Sequence, residues 1–255
     1  MTAPSLGRLL ISHITLRGPE LNQLYTLIAA HPGINYADLV SRLVINRDPD
    51  DTFGLAEAPL REALNFLLVA RLVDQHGSSR FRASFQPAPL LPDTPFSLLL
   101  LHHIRQHEDE RQRAPALMYT QLVAEDAIAT SAAVIRDQME RSMYRDLFAW
   151  TGEKVGFWVH LFSYLGLVRR MERSTDVLIV PQPNFVLTAL GWAQQARLSR
   201  SLAACLHVID DTFFCLLYRA WAGASRVGTN PAGARVARSA TPDPQRRRSP
   251  FAAAG

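Results

Sequence analysis

The chain has 255 residues, is 48% hydrophobic and carries a formal net charge of +4. That length and apolar content allow a sizeable core in one or two domains. No apolar run is long enough to span a bilayer, and the opening MTAPSLGRLLISHITLRGPE lacks the apolar block and cleavage site of a signal peptide, so the expectation is a cytoplasmic protein.

The positive charge is unevenly placed. Residues 223–255 hold six arginines and one acid, a balance of +5, which leaves residues 1–222 at −1. A folded body so close to neutral weakens a nucleic-acid reading without removing it, because charge can still gather on one face. Basic side chains are almost all arginine, with Lys154 the single lysine. Cys205 and Cys215 stand ten apart in one predicted helix. Their Cα atoms are then roughly 15 Å apart, beyond disulfide reach, and both are expected to be reduced.

Residues 1–19 form an N-terminal segment. From Glu20 to Ala30 the apolar positions Leu21, Leu24, Leu27 and Ile28 have helical spacing, and Pro32-Gly33 ends the run. Asn35 is placed to cap a second helix, Tyr36–Val44, with Leu39, Val40 and Leu43 inward. A polar loop follows, and a third helix is predicted from Glu57 to Ala70 with Leu60, Leu64, Leu67 and Leu68 on its inner face. Then comes a strand, a turn at His76-Gly77-Ser78-Ser79 and a return strand with Arg80 and Arg82 in alternation.

Gln86–Pro95 is proline-rich and reads as a linker. A helix starts near Pro95, and helical patterns recur at Leu117–Glu125 and Ser131–Trp150. The stretch FLLVARLV (66–73) then aligns without gaps with LFSYLGLV (161–168), an offset of 95 residues, and each is followed by a polar turn and a return strand. This internal repeat is the strongest signal in the chain. Asn184–Ala193 resembles a strand-to-helix exit in which Leu-Thr-x-x-Gly opens a helix. A last helix is predicted from Ser199 to Trp221, where Leu202, Leu206, Ile209, Phe213 and Leu216 make a short heptad seam, suited to packing on its own domain or to a homodimer or protein partner. Residues 223–255 have no periodic apolar pattern and are expected to be disordered.

Three helices followed by a two-stranded ribbon, found twice, resemble the winged-helix superfamily. The fold class expected is therefore mainly α with small β-hairpin wings (α+β): tandem winged-helix domains at 20–85 and 96–196, a C-terminal helix at 197–222, and an Arg-rich tail.

The resemblance implies double-stranded DNA as a partner, contacted by third helices and wings. In the first unit that role falls to Arg61 and Asn65 as base readers and to Arg80 and Arg82 as phosphate contacts. Glu57 and Glu62 are poor neighbours for phosphate. In the second unit it falls to Thr151, Lys154 and His160 on the helix and to Arg169, Arg170 and Arg173 on the wing; Phe157, Trp158 and Phe162 are expected in the core. Arg246, Arg247 and Arg248 in the tail suit nonspecific phosphate contact. Tandem winged-helix subunits of bacterial chromosome-organising complexes are similar in plan and grip partner proteins, so an adaptor is the alternative.

No enzyme is expected, because no Gly-rich phosphate loop or nucleophile elbow appears. No cofactor is expected either. His103 and His107 share a helical face at a spacing that can hold zinc, but no further ligand pair stands out, and a solvated helix end is the preferred reading. Asp48–Gly54 departs from a calcium loop at its sixth and twelfth positions. His207, Asp210 and Asp211 read as an exposed polar stripe.

Overall fold

The computed structural model describes residues 9–43, 57–77, 79–86, 90–125, 129–147, 149–171, 174–196 and 201–213. It is mainly helical, with nine α-helices among the described residues and two small antiparallel sheets of three strands. The chain divides into a compact unit, Met1–Leu217, and a second, Tyr218–Gly255, outside the described residues.

In the first half, α1 (Gly18–Ala30) has Pro in its first turn, and the Glu20 carboxylate accepts the Arg17 backbone N–H at 3.3 Å. The short strand β1 (Ile34–Asn35) leads into α2 (Tyr36–Leu43), whose Asp38 N–H donates to Asn35 Oδ1 at 2.8 Å. Asn35 is thus the cap its side chain suggests. Helix α3 (Glu57–Val69) buries Leu60, Leu64 and Leu67. Strands β2 (Val73–His76) and β3 (Arg80–Ala83) form a hairpin with Asp74 opposite Arg82 and His76 opposite Arg80. β1 adds to the other edge of β3, giving the order β1-β3-β2.

The second half repeats the order. α4 (Phe96–Gln106) joins the halves and buries Leu98, Leu99, Leu100, Leu101 and Ile104. Then come α5 (Glu110–Ala124), β4 (Ala129–Ser131), α6 (Ala132–Arg141), α7 (Gly152–Tyr164), β5 (Arg169–Arg170) and β6 (Asp176–Leu178), with the sheet order β4-β6-β5. α8 (Pro183–Gln195) and α9 (Leu202–Phe213) close the described chain.

The repeat extends to single hydrogen bonds. Glu57–Val69 and Gly152–Tyr164 begin and end 95 residues apart. Each ends on a left-handed residue, Arg71 (φ 58°) and Gly166 (φ 81°). Leu72 N–H reaches Leu67 O at 3.0 Å, and Leu167 N–H reaches Phe162 O at 2.9 Å. This pattern satisfies the last carbonyls of a helix and turns the chain sharply into the strand.

The two halves share one core. The segment before α1 runs between them: Leu10 and Ile11 are buried, and Leu10 N–H donates to Gln112 Oε1 of α5 at 2.8 Å. His13 meets Phe66 edge-on at 5.5 Å, and Phe66 meets Phe157 at 6.3 Å, so an aromatic file ties α3 to α7. Trp158 stacks on Phe162 at 4.8 Å and donates its indole N–H to the Pro115 carbonyl at 2.9 Å. Phe157, Trp158 and Phe162 are core residues, as their size suggests.

Five sequence expectations change. The helical pattern over Ser131–Trp150 is a helix only to Arg141, where the Ser142 N–H turns back to the Met139 carbonyl at 3.2 Å. The strands β1 and β4 were not foreseen. The strand-to-helix exit after β6 comes earlier than Leu-Thr-x-x-Gly suggests: α8 begins at Pro183, whose fixed φ and missing N–H suit a first turn, and it buries Phe185, Ala189 and Trp192 at helical spacing. The His102–Glu110 run is not a solvated helix end, since His102 and His107 are buried. His107 Nε2 lies 3.0 Å from the Val69 carbonyl and His103 Nε2 lies 2.9 Å from Gln86 Oε1. Asp210 likewise leaves the expected polar stripe and is buried, while His207 and Asp211 pair at the surface at 3.0 Å.

The predicted final helix is described over Leu202–Phe213. Its seam divides. Ile209 and Phe213 are buried, with Phe213 edge-on to Trp192 of α8 at 4.5 Å, whereas Leu202 is 62% exposed. Leu216, Cys215, the calcium-like loop and the tail lie outside the described residues.

Candidate nucleic-acid interface

On α3, Ala58, Arg61 and Asn65 share a face. Arg61 is exposed, but it is already engaged: its Nη2 lies 2.9 Å from Glu57 Oε1 and its guanidinium carbon 5.8 Å from the Tyr36 ring centre. The neighbouring Tyr36 side chain, then the Glu57 carboxylate, raises its pKa further. Asn65 is half-buried. Glu62 stands away from this face; it accepts from Thr15 Oγ1 at 2.8 Å and lies 3.6 Å from His13 Nδ1. The carboxylate beside the arginine is therefore Glu57.

On the first hairpin, Arg80 and Arg82 project from one face of β3 on either side of buried Phe81, as alternation in a strand requires. Arg82 Nε lies 3.7 Å from Asp74 Oδ2 across the ladder, and Asp74 is held by Ser84 Oγ at 2.9 Å. Arg80 has no ion pair among the described residues, with exposed His76 opposite it.

On α7 two of the predicted contacts, Thr151 and Lys154, serve the helix start. Thr151 Oγ1 accepts the Lys154 backbone N–H at 3.4 Å, and Lys154 Nζ donates to the Ala149 carbonyl at 2.6 Å. Burial, then the Arg111 charge, lowers the Lys154 pKa. The rest of α7 is largely enclosed: Val155, Phe157, Trp158, Val159, Leu161 and Phe162 are all buried, leaving Gly152, Glu153 and His160 exposed. α7 fills the space between α6, α1 and the Leu10–Ser12 turn rather than offering a broad face to a groove.

Arg169 and Arg170 are consecutive in β5 and both exposed. Neighbours in a strand point to opposite faces, so the two project on opposite sides of β5, Arg170 across from buried Val177 and Arg169 across from half-buried Leu178. Neither makes an ion pair among the described residues. Arg173 and Arg246, Arg247 and Arg248 lie outside those residues.

Sequence reasoning missed Arg17, the exposed residue before α1. It contributes, with Arg170 and after burial, to holding His160 below its ordinary pKa, which places both arginines within electrostatic reach of α7. The signal available was a basic residue directly before a Gly-Pro helix start.

No group of three or more His, Cys, Asp or Glu side chains is placed to hold a metal among the described residues. No helix among them is long and apolar enough to cross a membrane. Comparison with protein-family models, with curated proteins and with solved structures finds no match for this chain.

Proposed function

We propose that this chain is a non-enzymatic, cytoplasmic double winged-helix protein that binds double-stranded DNA, as a regulator or as the DNA-contacting subunit of a larger complex. The observation that carries this reading is the pair of exposed arginines on each hairpin, Arg80 with Arg82 and Arg169 with Arg170. Exposed guanidinium groups with forked N–H donors suit phosphate contacts, which set position and carry no sequence information. Base reading falls to α3, where Arg61 and Asn65 are available. The enclosure of α7 leaves the second unit to bind through its wing. Affinity then depends more on phosphate than on sequence.

The test is duplex binding by the full chain, read by fluorescence anisotropy, for wild type and for the variant with Arg80, Arg82, Arg169 and Arg170 changed to alanine. The expected result is wild-type binding to random duplex and a loss of about tenfold or more in the variant. Equal binding by both removes the wings from the interface.

An adaptor is the second reading. It is favoured by large apolar side chains left at the surface, Phe85 at 87%, Met143 at 83% and Leu187 at 67% exposure. If wild type binds no duplex, this reading leads.

A further inference from the structure

The start of α1, the second half of α7 and β5 meet at one place on the surface. Gly18, the first residue of α1, is buried under the Tyr164 ring; a Cβ there would lie 2.1 Å from Tyr164 Cγ. Arg17 directly precedes it and is exposed. His160 lies one turn before Tyr164 on the same face of α7, also exposed. The chain leaves α7 after Tyr164 and reaches Arg170 within six residues. Close packing of Gly18 on Tyr164 therefore brings three basic side chains from three elements to one seam.

The nearby acids do not neutralise them. Glu20 directs its Oε2 to the Arg17 backbone N–H at 3.3 Å, Glu153 stands two turns before His160 on α7, and exposed Asp176, beside the Arg170 ladder partner Val177, makes no ion pair with Arg170 among the described residues. Arg17, His160 and Arg170 make no ion pair among the described residues. Burial and the two guanidinium charges disfavour the imidazolium of His160, and a bound anion would reverse the second of those effects. Guanidinium groups match the oxygens of a phosphate in geometry as well as charge.

We propose that Arg17, His160 and Arg170 form one anion site that takes a backbone phosphate of the bound duplex, extending the interface from the second hairpin onto the start of α1. The assignment to nucleic acid rests on the DNA reading above; the anion site itself does not.

Two titrations of the full chain separate these claims. Inorganic phosphate is added while the His160 ring resonances are followed by NMR, and random duplex is added in an anisotropy experiment. Each uses wild type, Arg17→Gln, Arg170→Gln and the surface control Arg141→Gln, with folding checked by thermal unfolding. Expected is a saturable phosphate shift of His160 in wild type and Arg141→Gln that is lost or weakened in the other two. Arg17→Gln should also weaken duplex binding about as much as Arg170→Gln, each lowering the salt slope by about 0.9. A His160 resonance blind to phosphate, with Arg17→Gln binding duplex like wild type, overturns the inference and leaves the DNA reading standing. A wild-type chain that binds no duplex overturns the nucleic-acid assignment even where the phosphate shift persists.

Discussion

Arg71 and Gly166 meet the same backbone demand with unequal side chains. Both are left-handed, but a Cβ at Gly166 would lie 2.8 Å from Phe185 Cβ, whereas Arg71 reaches outward to Glu108 at 2.8 Å. The left-handed cost for a non-glycine residue is about 1–2 kcal/mol, and crowding a packed site adds about 1–3. Gly166→Ala should therefore lower stability by about 2–5 kcal/mol. Arg71→Gly relieves the first cost and loses an exposed ion pair worth about 0–1 kcal/mol, so it should not lower stability. Urea unfolding of the two variants measures this; equal destabilisation would refute the shared-position argument. His103 makes a second residue-scale prediction. Burial, then the His102 charge, lowers its pKa to about 4 from 6.5. The native state then binds fewer protons than the unfolded one between those values. Stability is full above pH 6.5 and falls as pH drops through the window toward 4, by about 2 kcal/mol at pH 5. Urea midpoints at pH 7 and pH 5 should show that loss in wild type and a clearly smaller one in His103→Gln, where lowered His102 and His107 still contribute.

Among elements, α9 is held by one side. Its His102 and Arg105 partners on α4 reach the backbone carbonyls of Thr212 and Asp210 at 3.2 and 2.9 Å. Ile209→Ala should cost about 2–5 kcal/mol in urea unfolding, while exposed Leu202→Ser should leave the midpoint unchanged; the reverse order would mean that α9 packs through its other face. The long elements were legible because their periodicity is local. Leu60, Leu64 and Leu67 placed α3 to within a residue of its observed end, and the 95-residue repeat placed α7. β1 and β4 were not legible: two or three residues are too short for an alternating pattern, and their pairing partners, β3 and β6, come more than 40 residues later. The start of α5 was hidden because its first turn is polar and its signal is the Asp109 cap, whose carboxylate accepts Arg111 N–H at 2.9 Å. The enclosure of α7 was present in the sequence as an apolar helix with no polar stripe, a pattern that marks burial on several sides. Of the candidate site, the hairpin arginines were readable from strand alternation. The meeting of Arg17 with His160 and Arg170 was not, because packing alone brings them together.

For the whole molecule, a body near neutral and a basic C-terminal segment are, on the proposed DNA reading, two sources of phosphate affinity, with the larger share carried by the hairpins. The most direct measurement is the salt dependence of random-duplex binding by the full chain, compared with the four-arginine hairpin variant and with Arg246, Arg247 and Arg248 changed to alanine. Each lost phosphate contact removes about 0.9 from the slope of log affinity against log salt. The hairpin variant should lose about 3–4 from the slope and most of the affinity, while the tail variant should keep the hairpin-dependent part. A wild-type slope carried wholly by the tail arginines, with the hairpin variant indistinguishable from wild type, would contradict this expectation.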